Sequence, residues 1–166
     1  MCEKYVFRKI EQGEVPQMFQ MILERMKWMD EKGIKQWNVT KYDEVYPFDY
    51  YEKSRLNGEV FVLQSTITNQ IVAAAILKNQ DERWQDNEQS IYLHNFVTRV
   101  GEKGVGSVFL AFVEEYARTK GKTFFRLDSA EDNPSLSKYY DSQGFLPVGK
   151  CTDGLYRGIL REKKLV

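Results

Sequence analysis

The sequence predicts a mixed α/β domain. Three observations carry that prediction: strand-like apolar runs alternate with two strongly periodic helical segments, turn residues punctuate them, and no internal repeat, linker or low-complexity tract interrupts the order. At 166 residues the chain is one domain's worth of protein, long enough to bury a core. Apolar residues make up 42% and aromatics 14%, a balance that excludes disorder.

Taken in order, Tyr5 to Ile10 reads as a first strand. Gly13 and Pro16 introduce a helix whose apolar residues are Val15, Met18, Phe19, Ile22, Met26 and Met29, all on one helical face, with proline suited to the first turn. Between Gly33 and Asn57 the pattern breaks around Pro47 into one or two short helices rich in rings. Glu59 to Thr66 and Ile71 to Lys78 are strands turned at Asn69-Gln70. Asn79 to Ser90 is polar and reads as a mobile loop, and Ile91 to Thr98 as the next strand. A glycine-bearing stretch then opens a helix with Val105, Val108, Phe109, Phe112, Val113 and Tyr116 on its apolar face, ended by Gly121. Thr123 to Ser129 is a strand, and Asn133-Pro134 caps a short helix that Gly144 stops. Phe145 to Cys151 and Leu155 to Lys163 form a hairpin around Asp153-Gly154. Arg157, Arg161, Lys163 and Lys164 in its second arm fit a solvated edge strand at least as well as an anion site.

Composition narrows the function classes. Lys plus Arg and Asp plus Glu both total 24, so the basic surplus of a nucleic-acid binder is missing. The longest apolar run, Ile71 to Leu77, is too short to cross a bilayer, and Glu3, Lys4, Arg8 and Lys9 interrupt any N-terminal leader pattern. Cys2 and Cys151 make no disulfide framework, so a soluble cytoplasmic protein is expected. With a single histidine, no His-rich metal site is expected, and a Ser/His/Asp triad would have to use His94.

Gly101, Gly104 and Gly106 form a G-x-x-G-x-G loop between a strand and a helix. Glycine permits close backbone approach, and the helix start offers free N–H groups and a positive dipole end, a combination that binds phosphate. The spacing is neither the dinucleotide fingerprint nor a P-loop, and a plain glycine-rich turn is the competing reading.

Further on, Asn133-Pro134-Ser135-Leu136-Ser137-Lys138-Tyr139-Tyr140-Asp141-Ser142-Gln143-Gly144-Phe145 supplies a second signature. With the glycine loop, it resembles the GNAT superfamily of N-acetyltransferases, which pairs a [QR]-x-x-G-x-[GA] loop with an N-x-x-x-x-x-[LY]-Y-x-x-x-G-F element. Gln36-Trp37, Tyr92-Leu93-His94 and Arg126-Leu127-Asp128 resemble a branch of that family, and the strand order matches over essentially the whole chain. Gly101 stands where the family has Gln or Arg, and the span from Thr98 to Gly104 is about two residues short. The resemblance implies a mixed seven-stranded sheet flanked by about four helices, with splayed fourth and fifth strands.

It also implies an acyltransferase that takes acetyl-CoA as donor. Phe96, Val97 and Thr98 would pair with the pantetheine, and a backbone N–H near Val97 could serve the oxyanion. Glu102, Lys103, Gly104, Val105, Gly106 and Ser107 would cradle the pyrophosphate, and Asn133 would bind the arm or simply cap its helix. Tyr140 would be the general acid or an aromatic packing under the cofactor, while Tyr139 reads as structural. His94 and Asp128 are the candidates to take or hold the amine proton. The competing readings are a packing histidine and an Asp128–Arg126 pair. Trp37, Tyr46 and Tyr50 would build an acceptor pocket or a hydrophobic cover. Neither cysteine falls where the cleft is expected, so direct transfer to a small-molecule primary amine is the expected reaction. Protein N-terminal or lysine acetylation and a non-catalytic acyl-CoA-binding domain are the alternatives. Members of the family are often homodimers, and no motif here fixes an interface.

Overall fold

The structure is a computed structural model and describes residues 4–165, so Cys2 lies outside the described residues. Strand β1 (Tyr5–Lys9) leads into helix α1 (Val15–Lys32), followed by a 3₁₀ turn at Trp37–Val39 and the short helices α2 (Tyr42–Val45) and α3 (Phe48–Leu56). Strands β2 (Val60–Ser65), β3 (Ile71–Lys78) and β4 (Ser90–Thr98) come next. Helix α4 (Val105–Thr119), strand β5 (Phe124–Ala130), helix α5 (Pro134–Ser142) and strands β6 (Leu146–Asp153) and β7 (Tyr156–Lys164) complete the order. The seven strands form one sheet in the order β1-β2-β3-β4-β5-β7-β6. Only the β4–β5 pair is parallel. Five helices, rather than about four, flank it among the described residues, and none is long and apolar enough to cross a membrane.

The near-continuous apolar runs of β2 and β3 follow from burial on both faces. Odd-numbered residues Phe61, Leu63, Ala73 and Ala75 pack with Phe109 and Val113 of α4. Even-numbered Val60, Val62, Ala74 and Ile76 pack with Met18, Met21 and Ile22 of α1 and with Tyr51 of α3. The methionine stripe of α1 is thus core, though its buried face runs through Met21, while Phe19 and Met26 lie at its partly exposed margin.

Two sequence expectations are corrected. The basic residues of the last hairpin arm are not on an edge, because β7 sits between β5 and β6. Arg161 is buried and binds Asp141 at 2.6 Å and the Phe145 carbonyl at 2.9 Å, while Lys163 reaches Glu114 at 2.8 Å. The exposed edge is β6. Nor is the polar stretch between β3 and β4 an unanchored loop. Arg126, buried on β5, grips both carboxylate oxygens of Asp86 at 2.8 Å, and its guanidinium lies 4.3 Å from the Trp84 ring. Arg126 is also held by Glu162 at 2.9 Å, so it is not the partner of Asp128.

Two features of β4 shape the site. Its parallel pairing with β5 runs only from Ser90↔Phe124 to Tyr92↔Arg126, after which the strands part. Its pairing with β3 steps from Ala74↔Val97 to Ile76↔His94, so Asn95 and Phe96 together oppose Ala75 in a β-bulge. Asn95 adopts φ 54°, a left-handed conformation that Asn tolerates better than most residues. Its side chain is fixed from both ends: Nδ2 donates to the Tyr42 hydroxyl at 2.5 Å, and Oδ1 accepts from Tyr50 at 3.2 Å.

Candidate active site

Where β4 and β5 part, a cavity of about 670 Å³ opens. The β4 wall runs from Leu93 to Thr98 and the β5 wall from Leu127 to Ala130, with α4 and α5 closing one side. Phe96, Val97 and Thr98 line the cleft, although the Thr98 carbonyl and hydroxyl already accept from Arg25 at 2.9 and 3.0 Å.

At one end stands the start of α4. Gly104 is its N-cap residue at φ 78°, a conformation natural to glycine, and no side chain caps the helix. The first-turn N–H groups of a helix have no intrahelical acceptor, and here they carry the positive dipole end at the cavity. Glu102, Gly104, Gly106 and Ser107 line it, whereas Lys103 does not, and the Val105 side chain is buried in the core. Gly106 has a packing reason of its own: a Cβ there would lie 2.8 Å from the Tyr139 hydroxyl. Tyr139 thus seats α5 against the loop, sharing Ser107 Oγ (3.4 Å) with Gln143 (3.1 Å).

Asn133 caps α5, accepting from the Leu136 N–H at 3.1 Å, and donates to Gln36 at 3.1 Å, so the Gln36-Trp37 segment is tied to α5 across the cleft. Tyr140 of α5 lines the cavity with a hydroxyl that bonds to no described residue. Burial above all, then neighbouring Tyr139 and Asp128, drives its pKa far up, so the phenol keeps its proton.

At the other end lies an acid–base cluster. His94 Nε2 is 3.0 Å from Asp81 Oδ2, and Asp128 Oδ1 accepts from the Tyr156 hydroxyl at 2.6 Å. Ligand-type atoms of Asp81, His94 and Asp128 lie within 4.8 Å of one another. That spacing would admit a cation. Arg83 already supplies one: it sits 4.0 Å from Asp81 and 3.0 Å from Asp153, its positive charge reinforced against burial by Asp128, Tyr46 and Asp81. Burial pushes the Asp81 carboxyl up, but hydrogen bonds from His94 and the Arg83 N–H outweigh it and hold it below the usual range. Gly158 makes room for Tyr156, because a Cβ there would fall 2.6 Å from its hydroxyl.

Asp81, Arg83, Asn95 and Tyr156 are the site residues that reading the sequence missed. The Tyr-Leu-His-Asn run offered a signal for Asn95, since Asn is a residue that accepts a bulge. The loop residues gave none, because the side chains they meet, His94 for Asp81 and Asp153 for Arg83, are brought to them only by the fold. Trp37 and Tyr46 line the cleft, Trp37 stacked on Tyr42 at 4.4 Å. Tyr50 does not: its hydroxyl is spent on Asn95, and the residue lines a second, polar cavity that His94 also borders. Cys151 also lines that second cavity, nearer the cluster than the sequence suggested. Burial and the Asp128 charge push its thiol up to about 11.

A glycine-started helix and an acid–base cluster at opposite ends of a strand splay make an arrangement suited to acyl transfer. The chain belongs to the acetyltransferase (GNAT) family, whose model matches residues 22–145. Its fold is similar to that of a GNAT-family acetyltransferase from Streptococcus agalactiae 2603 (20% identity, 96% of this chain and 95% of that one, TM-score 0.81). It is also similar to the PaiA N-acetyltransferase from Thermoplasma acidophilum in complex with coenzyme A (17%, 96% and 98%, 0.74). A third likeness is to YncA from Salmonella typhimurium with its cofactor acetyl-CoA (14%, 99% and 95%, 0.64). No curated protein matches the sequence.

Proposed function

We propose that this chain is a single N-acetyltransferase domain, acting in the cytoplasm, that moves acetyl from acetyl-CoA to a small primary amine within a ternary complex. The observation that carries this reading is the splay of β4 from β5, with a helix N-terminus at one end and the His94–Asp81 and Asp128–Tyr156 pairs at the other. The residues present fit the donor: uncapped first-turn N–H groups suit a pyrophosphate, and parted strands suit a pantetheine arm. The coenzyme A and acetyl-CoA complexes of the PaiA and YncA proteins support the choice of donor.

Acetyl-CoA supplies an activated thioester. The protein's part begins with the arriving amine, which is mostly protonated near neutrality. Asp128 offers its second carboxylate oxygen to the ammonium. His94 has Nε2 committed to Asp81, which leaves Nδ1 to accept the proton. A backbone N–H of the bulged stretch near Val97 stabilises the oxyanion, and the Tyr140 hydroxyl gives its proton to the leaving sulfur. A thiol pKa of about 11 keeps Cys151 protonated and weakly nucleophilic, which favours direct transfer over an acetyl-cysteine step.

The test is thiol release from acetyl-CoA across a panel of small amines, with mass spectrometry of the products. Saturable, amine-dependent release is expected, with kcat lowered ~10²-fold in Tyr140→Phe. Acetylation confined to protein N-termini or lysines would replace the small-molecule acceptor. Donor binding without any release would make the domain a non-catalytic binder.

A further inference from the structure

We propose that Ser129 is a donor-binding residue whose hydroxyl hydrogen-bonds the pantetheine arm of acyl-CoA held between β4 and β5. This rests on the acyl-CoA reading above. Ser129 is 2% exposed, lines the cleft, and its Oγ is buried with no hydrogen-bond partner. Other buried polar atoms without partners, on Tyr51, Trp84, Ser90 and Arg161, belong to residues outside the cleft wall.

The position explains the missing partner. Along β5, Phe125 and Leu127 face the core beneath α4, and alternation puts Ser129 on that same face, with Tyr140 of α5. It lies three residues beyond Arg126, the last β5 residue paired with β4, where the neighbouring strand has already moved away. A buried hydroxyl without a partner is destabilising, and alanine would fill a strand position here without that cost. A serine rotor has three staggered positions, so Oγ can be re-aimed by a turn about χ1 without moving the strand. The pantetheine arm, with its two amides and thioester, presents both acceptors and donors along the line where β4 would otherwise have lain.

The test is calorimetric titration of wild type and Ser129→Ala with coenzyme A and with adenosine 3′,5′-bisphosphate, which lacks the arm, alongside melting temperatures without ligand. Loss of one neutral hydrogen bond predicts coenzyme A binding about 3- to 10-fold weaker in Ser129→Ala, with the bisphosphate unchanged. The ligand-free variant should melt at the wild-type temperature or up to ~3 °C higher, because an unsatisfied buried hydroxyl has been removed. Equal coenzyme A affinity in the two proteins would overturn the assignment, as would equal weakening toward both ligands. A ligand-free melting point several degrees lower would mean that the hydroxyl serves the fold, and would overturn it too. Wild type that binds coenzyme A in none of these titrations would instead sink the donor reading, and this inference with it.

Discussion

At the scale of single residues, the pairing of His94 with Asp81 is the contact on which the proposed chemistry depends most. A 3.0 Å bond from Nε2 to a carboxylate held below its usual pKa range fixes both the tautomer and the tilt of the ring. Asp81→Asn keeps the shape and removes the charge. The expected outcome is a kcat lower by about 10- to 100-fold with coenzyme A affinity unchanged, part of the ~10²–10⁴-fold that a positioned base supplies. Steady-state kinetics and a coenzyme A titration check both halves. His94 and Asp128 could be nominated from the sequence because each sits in a legible strand. Asp81 could not: it lies in a run of polar residues whose composition is that of a solvated loop, and what orders it is a histidine on the next strand and the backbone N–H of Arg83 two residues on.

Among elements, strands and helices with strong periodicity were readable, and boundaries moved by only a residue or two. β2 and β3 announced themselves by unbroken apolar runs, and α4 by its stripe. What could not be read was the partnering between elements. The glycine at 106 looked like a ligand-facing residue, yet it also admits the Tyr139 hydroxyl at 2.8 Å from the missing Cβ, joining α5 to the start of α4. Gly106→Ala should therefore cost ~1–3 kcal/mol of stability by overpacking and weaken coenzyme A binding. Adding Tyr139→Phe removes the clashing oxygen and should restore most of the lost stability; denaturant titration of both variants decides. Likewise Arg126→Met should free the segment from Asn79 to Ser90. Its amides should exchange faster with solvent, with ~1–3 kcal/mol lost because Asp86 and Glu162 stay partly hydrated.

Across the whole molecule, a zero net charge hides a set of carboxyls that prefer the folded state. Hydrogen bonds from Arg8 and Arg126 lower Glu14 and Asp86. Asp81 and Glu114 are lowered despite burial, the first by His94 and the Arg83 N–H, the second by Lys163 and Arg118. Below the ordinary carboxylate range, near pH 4, the unfolded chain takes up protons at these groups before the folded one does. Their contribution is thus complete above that pH and is lost as the pH falls through the lowered folded values. Melting temperature should stay level from pH 7 to about 5 and drop below about 4.5, less steeply in Asp81→Asn, as scanning calorimetry at constant ionic strength will record.

The strand order also sets a timetable for synthesis. β5 meets β4 over three residue pairs but meets β7 along its whole length, from Phe124↔Lys164 to Ala130↔Gly158. The wall that carries Asp128 and Ser129 therefore has no lasting neighbour while the ribosome is still making β6. β1 to β4 and α4 can settle first, since the β1–β2, β2–β3 and β3–β4 pairings all lie in the part of the chain made before β5. The cleft itself is finished only when β7 threads between β5 and β6, so a nascent chain carries the residues of the proposed site for some time before it can bring them together.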